Sequence, residues 1–169
     1  MRRPRESTAL DYEAELAVVI GKPGRRISKE QALDHVAGYS LFNDASLRDF
    51  QLRTPQWTMG KNFDGTGSFG PWLVTPDAVP PGARGLRIQG RLNGRVMQDS
   101  RTDLLIFSVA TLIETISVAM SLERGDVIIT GTPGGVGAAR KPPVFMKPGD
   151  IFEVEIEKLG VLTNPVQDG

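Results

Sequence analysis

Residues 10–20, LDYEAELAVVI, decide how the rest of the chain is read. Polar and apolar residues alternate through the first half, the pattern of a β-strand. Successive side chains of a strand point to opposite faces, so Asp11, Glu13 and Glu15 share one face. The other face carries Leu10, Tyr12, Ala14 and Leu16. Beyond Glu15 the acidic face continues as Ala17 and Val19. The strand therefore runs into a core that is apolar on both sides, with the acids at its mouth. Neighbouring carboxylates so placed lie roughly 7 Å apart, and at an effective dielectric of about 20 each pair repels by on the order of 2 kcal/mol. Lysine or arginine partners, open water and a metal ion are the three remedies this stretch leaves open.

The flanking segments fill in a strand-rich domain. GKPGRR, 21–26, is a turn. Ser28, with Gln31 three positions on, reads as a capping box opening a short helix. AGYSLFND, 37–44, is a second apolar strand with a polar tip, and ASLRDFQ, 45–51, a short helical turn. Residues 52–70 have little periodicity and read as a long loop. PWLVT, 71–75, resumes β structure. Asn93-Gly94 sits inside LRIQGRLNGRVMQDS, 86–100, the strongest short-range hairpin signal. Leu105, Ile106, Val109, Leu112, Ile113, Ile116 and Met120 fall at helical spacing, with Thr102 or Asp103 as cap and Gly125 as stop. DVIITGT, 126–132, reads as a buried strand. In IFEVEIEK, 151–158, Glu153, Glu155 and Glu157 alternate with apolar residues and are read as facing solvent. Many strands and one long helix make an α+β, β-rich fold.

Composition narrows the function. With 20 basic and 20 acidic residues the net charge is zero, which argues against a dedicated nucleic-acid or anionic-membrane binder. There are no cysteines and one histidine, His35, so disulfides, thiolate chemistry and His- or Cys-rich metal sites fall away. Leu104–Leu122 holds too many polar residues for a membrane span. No signal-like segment opens the chain, and a cytoplasmic protein is expected. The run TGTPGGVG lacks the Gly-Lys-Ser/Thr ending of a phosphate-binding loop.

Asp44 turns the acidic face into a candidate site. It stands at the polar tip of an apolar strand, where a rigid scaffold aims a loop residue. If that strand neighbours the first, Glu13, Glu15 and Asp44 can converge on one ion. Carboxylate oxygens suit Mg²⁺, Mn²⁺ or Ca²⁺ and not zinc.

With these residues in hand, the sequence resembles the fumarylacetoacetate hydrolase family. DYEAELAVVIGK is similar to its first metal-binding strand, and VAGYSLFNDASLRDFQ to its GYT-x-x-ND-x-S-x-RD-x-Q segment. GKNFDGTGSFGPWLVT resembles the stretch with an active-site lysine; LNGRVMQDSRTDLLIF and ERGDVIITGTPGGVG match its C-terminal hairpin, helix and Gly-rich turn. The resemblance implies a mixed β-sheet roll, a homodimer, and Mg²⁺, Mn²⁺ or Ca²⁺ held by Glu13, Glu15 and Asp44. It implies catalytic roles for Lys61 and Arg48, and substrate contacts from Gln51, Thr132 and Thr66. Asp11 is kept out of the metal set, as a supporting residue or an arginine's partner.

The sequence also departs from that pattern. The family's water-activating histidine and partner glutamate lie on a lid upstream of the first metal strand, and only ten residues precede Asp11. Residues 1–169 are therefore expected to be one catalytic domain without that lid, as a piece of a longer protein or after its loss. His35, between helix and strand, is expected at the surface or a helix end and not in catalysis. Ala45 and RTPQW, 53–57, differ from common family forms on the substrate side. The expected activity is metal-dependent hydrolysis of a C–C bond in 2-oxo or 1,3-diketo acids. The alternatives are an isomerase, hydratase or oxaloacetate-type decarboxylase on the same scaffold, or a non-catalytic metal-binding or oligomerisation domain.

Overall fold

The computed structural model describes residues 1–169. Its strands are β1 (Arg2–Arg3), β2 (Leu10–Asp11), β3 (Ala14–Ile20), β4 (Val36–Asn43), β5 (Ser46–Leu47) and β6 (Ser68–Val74), then β7 (Arg87–Leu92), β8 (Arg95–Arg101), β9 (Val127–Ile129), β10 (Ile151–Ile156), β11 (Gly160–Pro165) and β12 (Gln167–Asp168). Three helices join them: α1 (Arg48–Gln51), α2 (Thr58–Lys61) and α3 (Val109–Ala119). The result is the expected strand-rich α+β arrangement. Two antiparallel four-stranded sheets, β6-β4-β3-β9 and β11-β10-β7-β8, carry most of it. A short antiparallel ladder joins β2 to β5, and the parallel component is confined to β1 and β12.

The core lies between the two large sheets. Leu16, Val18, Tyr39 and Leu41 from one meet Ile88, Phe152, Val154 and Ile156 from the other in one buried cluster. Tyr12 stacks on Phe152 with ring centroids 4.7 Å apart. Period-2 burial is plain in β10, where Phe152, Val154 and Ile156 point in. The outward Glu153 and Glu155 do not simply face solvent: both pair with Arg91 across the sheet. The β7–β8 hairpin turns at Asn93 and Gly94, with φ of 51° and 77°, the left-handed pair a type I′ turn needs.

Several elements differ from the sequence-based expectation. The first strand is broken: β2 pairs with β5, β3 pairs with β4 and β9, and Tyr12–Glu13 lie in between. The Ser28 capping box does not open a helix; the element is a 3-10 turn at Ala32–His35 without a side-chain cap. The long loop holds α2. The main helix starts later than its periodicity suggests. Thr102–Leu104 form a separate 3-10 turn, Ser108 caps α3 by accepting the Thr111 N–H, and Ile106 lies outside the helix, 91% exposed. The helix stops at Ala119, and Gly125 belongs to the turn before β9. β9 is a sheet edge with Val127 and Ile129 exposed, not a strand buried on both faces. His35 ends its 3-10 turn as expected, but is buried, with Nδ1 2.8 Å from the Lys22 carbonyl oxygen. No helix is long and apolar enough to cross a membrane.

Candidate metal centre

Three separate stretches bring the acids together. Glu13 sits in the break before β3, Glu15 on β3, and Asp44 in the link between β4 and β5. Antiparallel pairing sets Ala14 opposite Asn43, so the tip of β4 stands beside both glutamates. Asn43 accepts the Glu13 N–H at 3.1 Å, and the Asp44 N–H donates to the Glu13 carbonyl at 3.0 Å. One carboxylate oxygen from each of Glu13, Glu15 and Asp44 then lies within 4.8 Å of the other two, and all three residues are buried. Glu13 thus enters the group from the break between β2 and β3, and Glu15 from within β3.

Two cations close the group. The Lys61 ammonium donates to Glu13 Oε2 at 2.8 Å and to Asp44 Oδ2 at 2.5 Å. Lys61 ends α2, and α2 lies directly on α1: a Cβ on Gly60 would come 2.4 Å from the Gln51 Cβ. Arg48, which opens α1, reaches Glu13 Oε1 with Nη1 at 2.6 Å and Gln51 Oε1 with the same atom at 2.8 Å. Its Nε donates to Asp11 Oδ2 at 2.8 Å. Asp11 is fully buried and also accepts the N–H groups of Tyr12, Gly137 and Ala138 at 2.7–2.8 Å. It is thus an arginine's partner and an anchor for the Gly-rich turn.

Burial dominates the electrostatics. Desolvation pushes the Glu15 carboxyl up to about 8, against the N–H of Gly131, which donates to Oε2 at 2.7 Å; the charges of Asp44 and Glu13 add to the rise. Burial also raises Asp44, against the pull of Lys61. For Lys61 burial works downward, yet its hydrogen bonds to Asp44 and Glu13 hold it above its ordinary value. Arg48 pairs with Asp11 and Glu13, and Lys61 with Glu13 and Asp44. Fully ionised, the four carboxylates would exceed these two cations by two charges, which burial resists at Glu15 and a divalent cation would cancel. The donor set, all carboxylate oxygen, fits a hard divalent ion.

The remaining predicted residues divide. Gln51 is buried beside Arg48. Thr132 lies next to Gly131, but its hydroxyl donates to the Ala14 carbonyl at 2.9 Å and accepts from Gln98 at 2.7 Å. Thr66 is buried, its hydroxyl donates to the Phe63 carbonyl at 2.8 Å, and none of its hydrogen bonds reaches the acids. Sequence reasoning passed over Gln98 and Asn43. The sequence-level signal for Asn43 was its place before Asp44, in the ND pair of the resembling segment. A cavity of about 420 Å³ is lined by Thr130–Gly134 together with Leu16, Ile88 and Leu104–Phe107.

Known proteins are similar to this chain over nearly all of its length. The family model described as fumarylacetoacetate hydrolase C-terminal matches residues 1–167. A mitochondrial oxaloacetate tautomerase of Xenopus laevis is 47% identical over 168 residues, 98% of this chain and 52% of that protein. An oxaloacetate tautomerase of Bacillus subtilis is 47% identical over 160 residues, 95% of this chain and 53% of that protein. Among solved structures, a fumarylacetoacetate hydrolase from Exiguobacterium antarcticum superposes with a TM-score of 0.92 at 45% identity, covering 96% of this chain and 58% of that one. The fumarylpyruvate hydrolase of Pseudomonas aeruginosa, in complex with Mn²⁺ and pyruvate, gives a TM-score of 0.90 at 34% identity, covering 100% of this chain and 70% of that one. The chain spans about half the length of the curated relatives it matches.

Proposed function

Because the chain belongs to the fumarylacetoacetate hydrolase family, we propose that residues 1–169 form one catalytic domain that uses a divalent ion to tautomerise a 2-oxo diacid of the oxaloacetate class. The observation that carries this is the convergence of Glu13, Glu15 and Asp44 within 4.8 Å, with Lys61 against them, in a chain 47% identical to oxaloacetate tautomerases. Glu13, Glu15 and Asp44 would hold the ion, with Mg²⁺ the first choice and Mn²⁺ or Ca²⁺ accepted by the same oxygen donors. When bound, such an ion supplies Lewis-acid polarisation to a chelating 2-oxo acid.

Keto–enol exchange moves one proton between a carbon and the adjacent carbonyl oxygen and leaves every carbon–carbon bond intact. Lys61, held as an ammonium, puts positive charge and N–H donors beside the place where that oxygen gains charge. Arg48 keeps Glu13 and Gln51 in register through one nitrogen while Asp11 holds its other side. Gln51 offers its amide nitrogen to a ligand, since its oxygen is taken by Arg48.

A second reading, hydrolysis of a C–C bond in an acylpyruvate, is favoured by the likeness to the fumarylpyruvate hydrolase that binds Mn²⁺ and pyruvate. It requires a general base that activates water. A homodimer belongs to the same proposal, and sedimentation should then give twice the chain mass.

The test follows decay of enol-oxaloacetate by ultraviolet absorbance and cleavage of fumarylpyruvate in parallel, with Mg²⁺, with Mn²⁺ and with chelator. Tautomerisation should dominate, stop on chelation, and be lost in Glu13→Ala and Asp44→Ala together with metal uptake. Lys61→Met should lower kcat by roughly 10²–10³-fold, the usual loss on removing one charge-stabilising donor. Turnover that survives chelator would sink the metal mechanism, and faster cleavage than tautomerisation would select the hydrolase.

A further inference from the structure

We infer that Gln98 is a positioning residue for the centre: it locks the Ala14 peptide, and with it the flanking Glu13 and Glu15, to the turn that carries Gly131 and Thr132. Gln98 lies on β8, in the sheet opposite the acids, and is 1% exposed. Its Oε1 accepts the Ala14 N–H at 3.0 Å. Its Nε2 donates to Thr132 Oγ1 at 2.7 Å and to the Pro133 carbonyl at 2.8 Å. Thr132 Oγ1 in turn donates to the Ala14 carbonyl at 2.9 Å. The ring is closed: Ala14 N–H, Gln98 amide, Thr132 hydroxyl, Ala14 C=O.

The ring falls where the backbone ladder ends. β9 pairs with β3 only from Ala17 to Val19, so the first residues of β3 have no strand on that side. The segment after β9 takes over with single contacts. The Thr130 N–H donates to the Leu16 carbonyl, the Gly131 N–H holds Glu15, and Thr132 caps the Ala14 carbonyl. Gln98 is the member that reaches this seam from the second sheet. Without it the Ala14 N–H would be buried and unpaired, and the turn would keep one fewer tie to the strand it orders.

Local structure is shaped to let Gln98 in. It stands opposite Gly90, where the β7–β8 register shifts, and such a bulge re-aims side chains. A Cβ on Gly90 would come 2.8 Å from Gln98 Oε1. A Cβ on Gly135 would come 2.2 Å from the Met97 carbonyl, so the Gly-rich turn can lie against β8 only with glycine there. A buried glutamine that merely satisfies the core would bond to scaffold on both ends. Here one partner is the peptide between two proposed ligands, and the other is a hydroxyl one residue from the N–H that holds Glu15.

This inference rests on the metal reading above, and the test separates the two. Mn²⁺ affinity is measured by titration calorimetry, and Tm in chelator, for the parent, Gln98→Met, Thr132→Val and the double variant. Gln98→Met keeps the volume and removes all three hydrogen bonds. It should raise the Kd for Mn²⁺ by roughly 10–100-fold, the usual loss when a group that orients metal ligands is removed. In the Thr132→Val background the further loss should be smaller, because the ring is already open. A merely structural glutamine would lower Tm and leave the affinity of the folded chain alone. A Kd for Gln98→Met within twofold of the parent's therefore overturns the inference. If Gln98→Met does not fold, Thr132→Val carries the same threshold. A parent that takes up no Mn²⁺ overturns the metal reading itself and this inference with it.

Discussion

Glu15 sits out of water with two other carboxylates beside it, and its ionisation sets a pH dependence. Burial lifts its pKa from an ordinary 4.5 to about 8. A carboxyl raised in the folded state contributes stability that is complete below about pH 4.5 and is lost as pH climbs through about 8. In chelator, Glu15→Gln should therefore melt with the parent at pH 5 and above it at pH 9, because the amide never has to carry a buried charge. An equal difference at both pH values would mean that Glu15 is ionised throughout. The same variant should lose Mn²⁺ uptake, since the ion needs the charge that the metal-free fold resists. At this scale Glu13, Glu15 and Asp44 were legible from a strand pattern and a polar tip, and the structure brings them within 4.8 Å. Asp11 could be set apart in advance as an arginine's partner, although Arg48 itself could be paired with it only once α1 was in place. Gln98 was invisible, because a glutamine in a hairpin strand carries no local mark of a partner 84 residues away.

Turns and glycines separate local from non-local constraint at the level of elements. Gly94 and Gly137 make a controlled pair. Gly94 needs a positive φ of 77°, but a Cβ there would meet nothing within 4 Å. Gly137 has no such backbone demand, yet its Cβ would lie 1.8 Å from the Val144 carbonyl and 2.6 Å from Asp11 Oδ1. Gly94→Ala should cost about 1 kcal/mol, the strain of a left-handed alanine. Gly137→Ala should cost more than about 2 kcal/mol, as overpacking against fixed backbone does, and should weaken Mn²⁺ uptake by displacing Asp11. Urea melts of both variants check the order; a costlier Gly94→Ala would contradict it. The hairpin was legible because Asn-Gly encodes its own backbone. The start of α3 was not, since apolar spacing ran on through Leu105 and Ile106, which are outside the helix. Ser108, not the earlier Thr102 or Asp103, supplies the cap.

For the whole molecule, the centre is a seam between parts distant in sequence: β3, the β4–β5 link, α1, α2 and the turn after β9. An ion bound there ties these parts together in the folded chain only. At 100 times its Kd, Mn²⁺ should stabilise the fold by about 2.7 kcal/mol and raise Tm by roughly 5–10 °C, reversed by chelator. Scanning calorimetry checks this, and no shift in Glu13→Ala would confirm the route through the acids. By itself the sequence determined the strand-rich class, the Asn93-Gly94 hairpin, the inward face of β10 and which acids could meet. Those follow from side-chain periodicity and turn chemistry, which act over a few residues. Only the tertiary structure decided that the first strand breaks at Tyr12–Glu13, that β9 is an edge, that Lys61 lies between Glu13 and Asp44, and that Gln98 holds the seam. Each of these depends on which segments pack side by side, and a hydrogen bond or ion pair across that packing leaves no period in the chain.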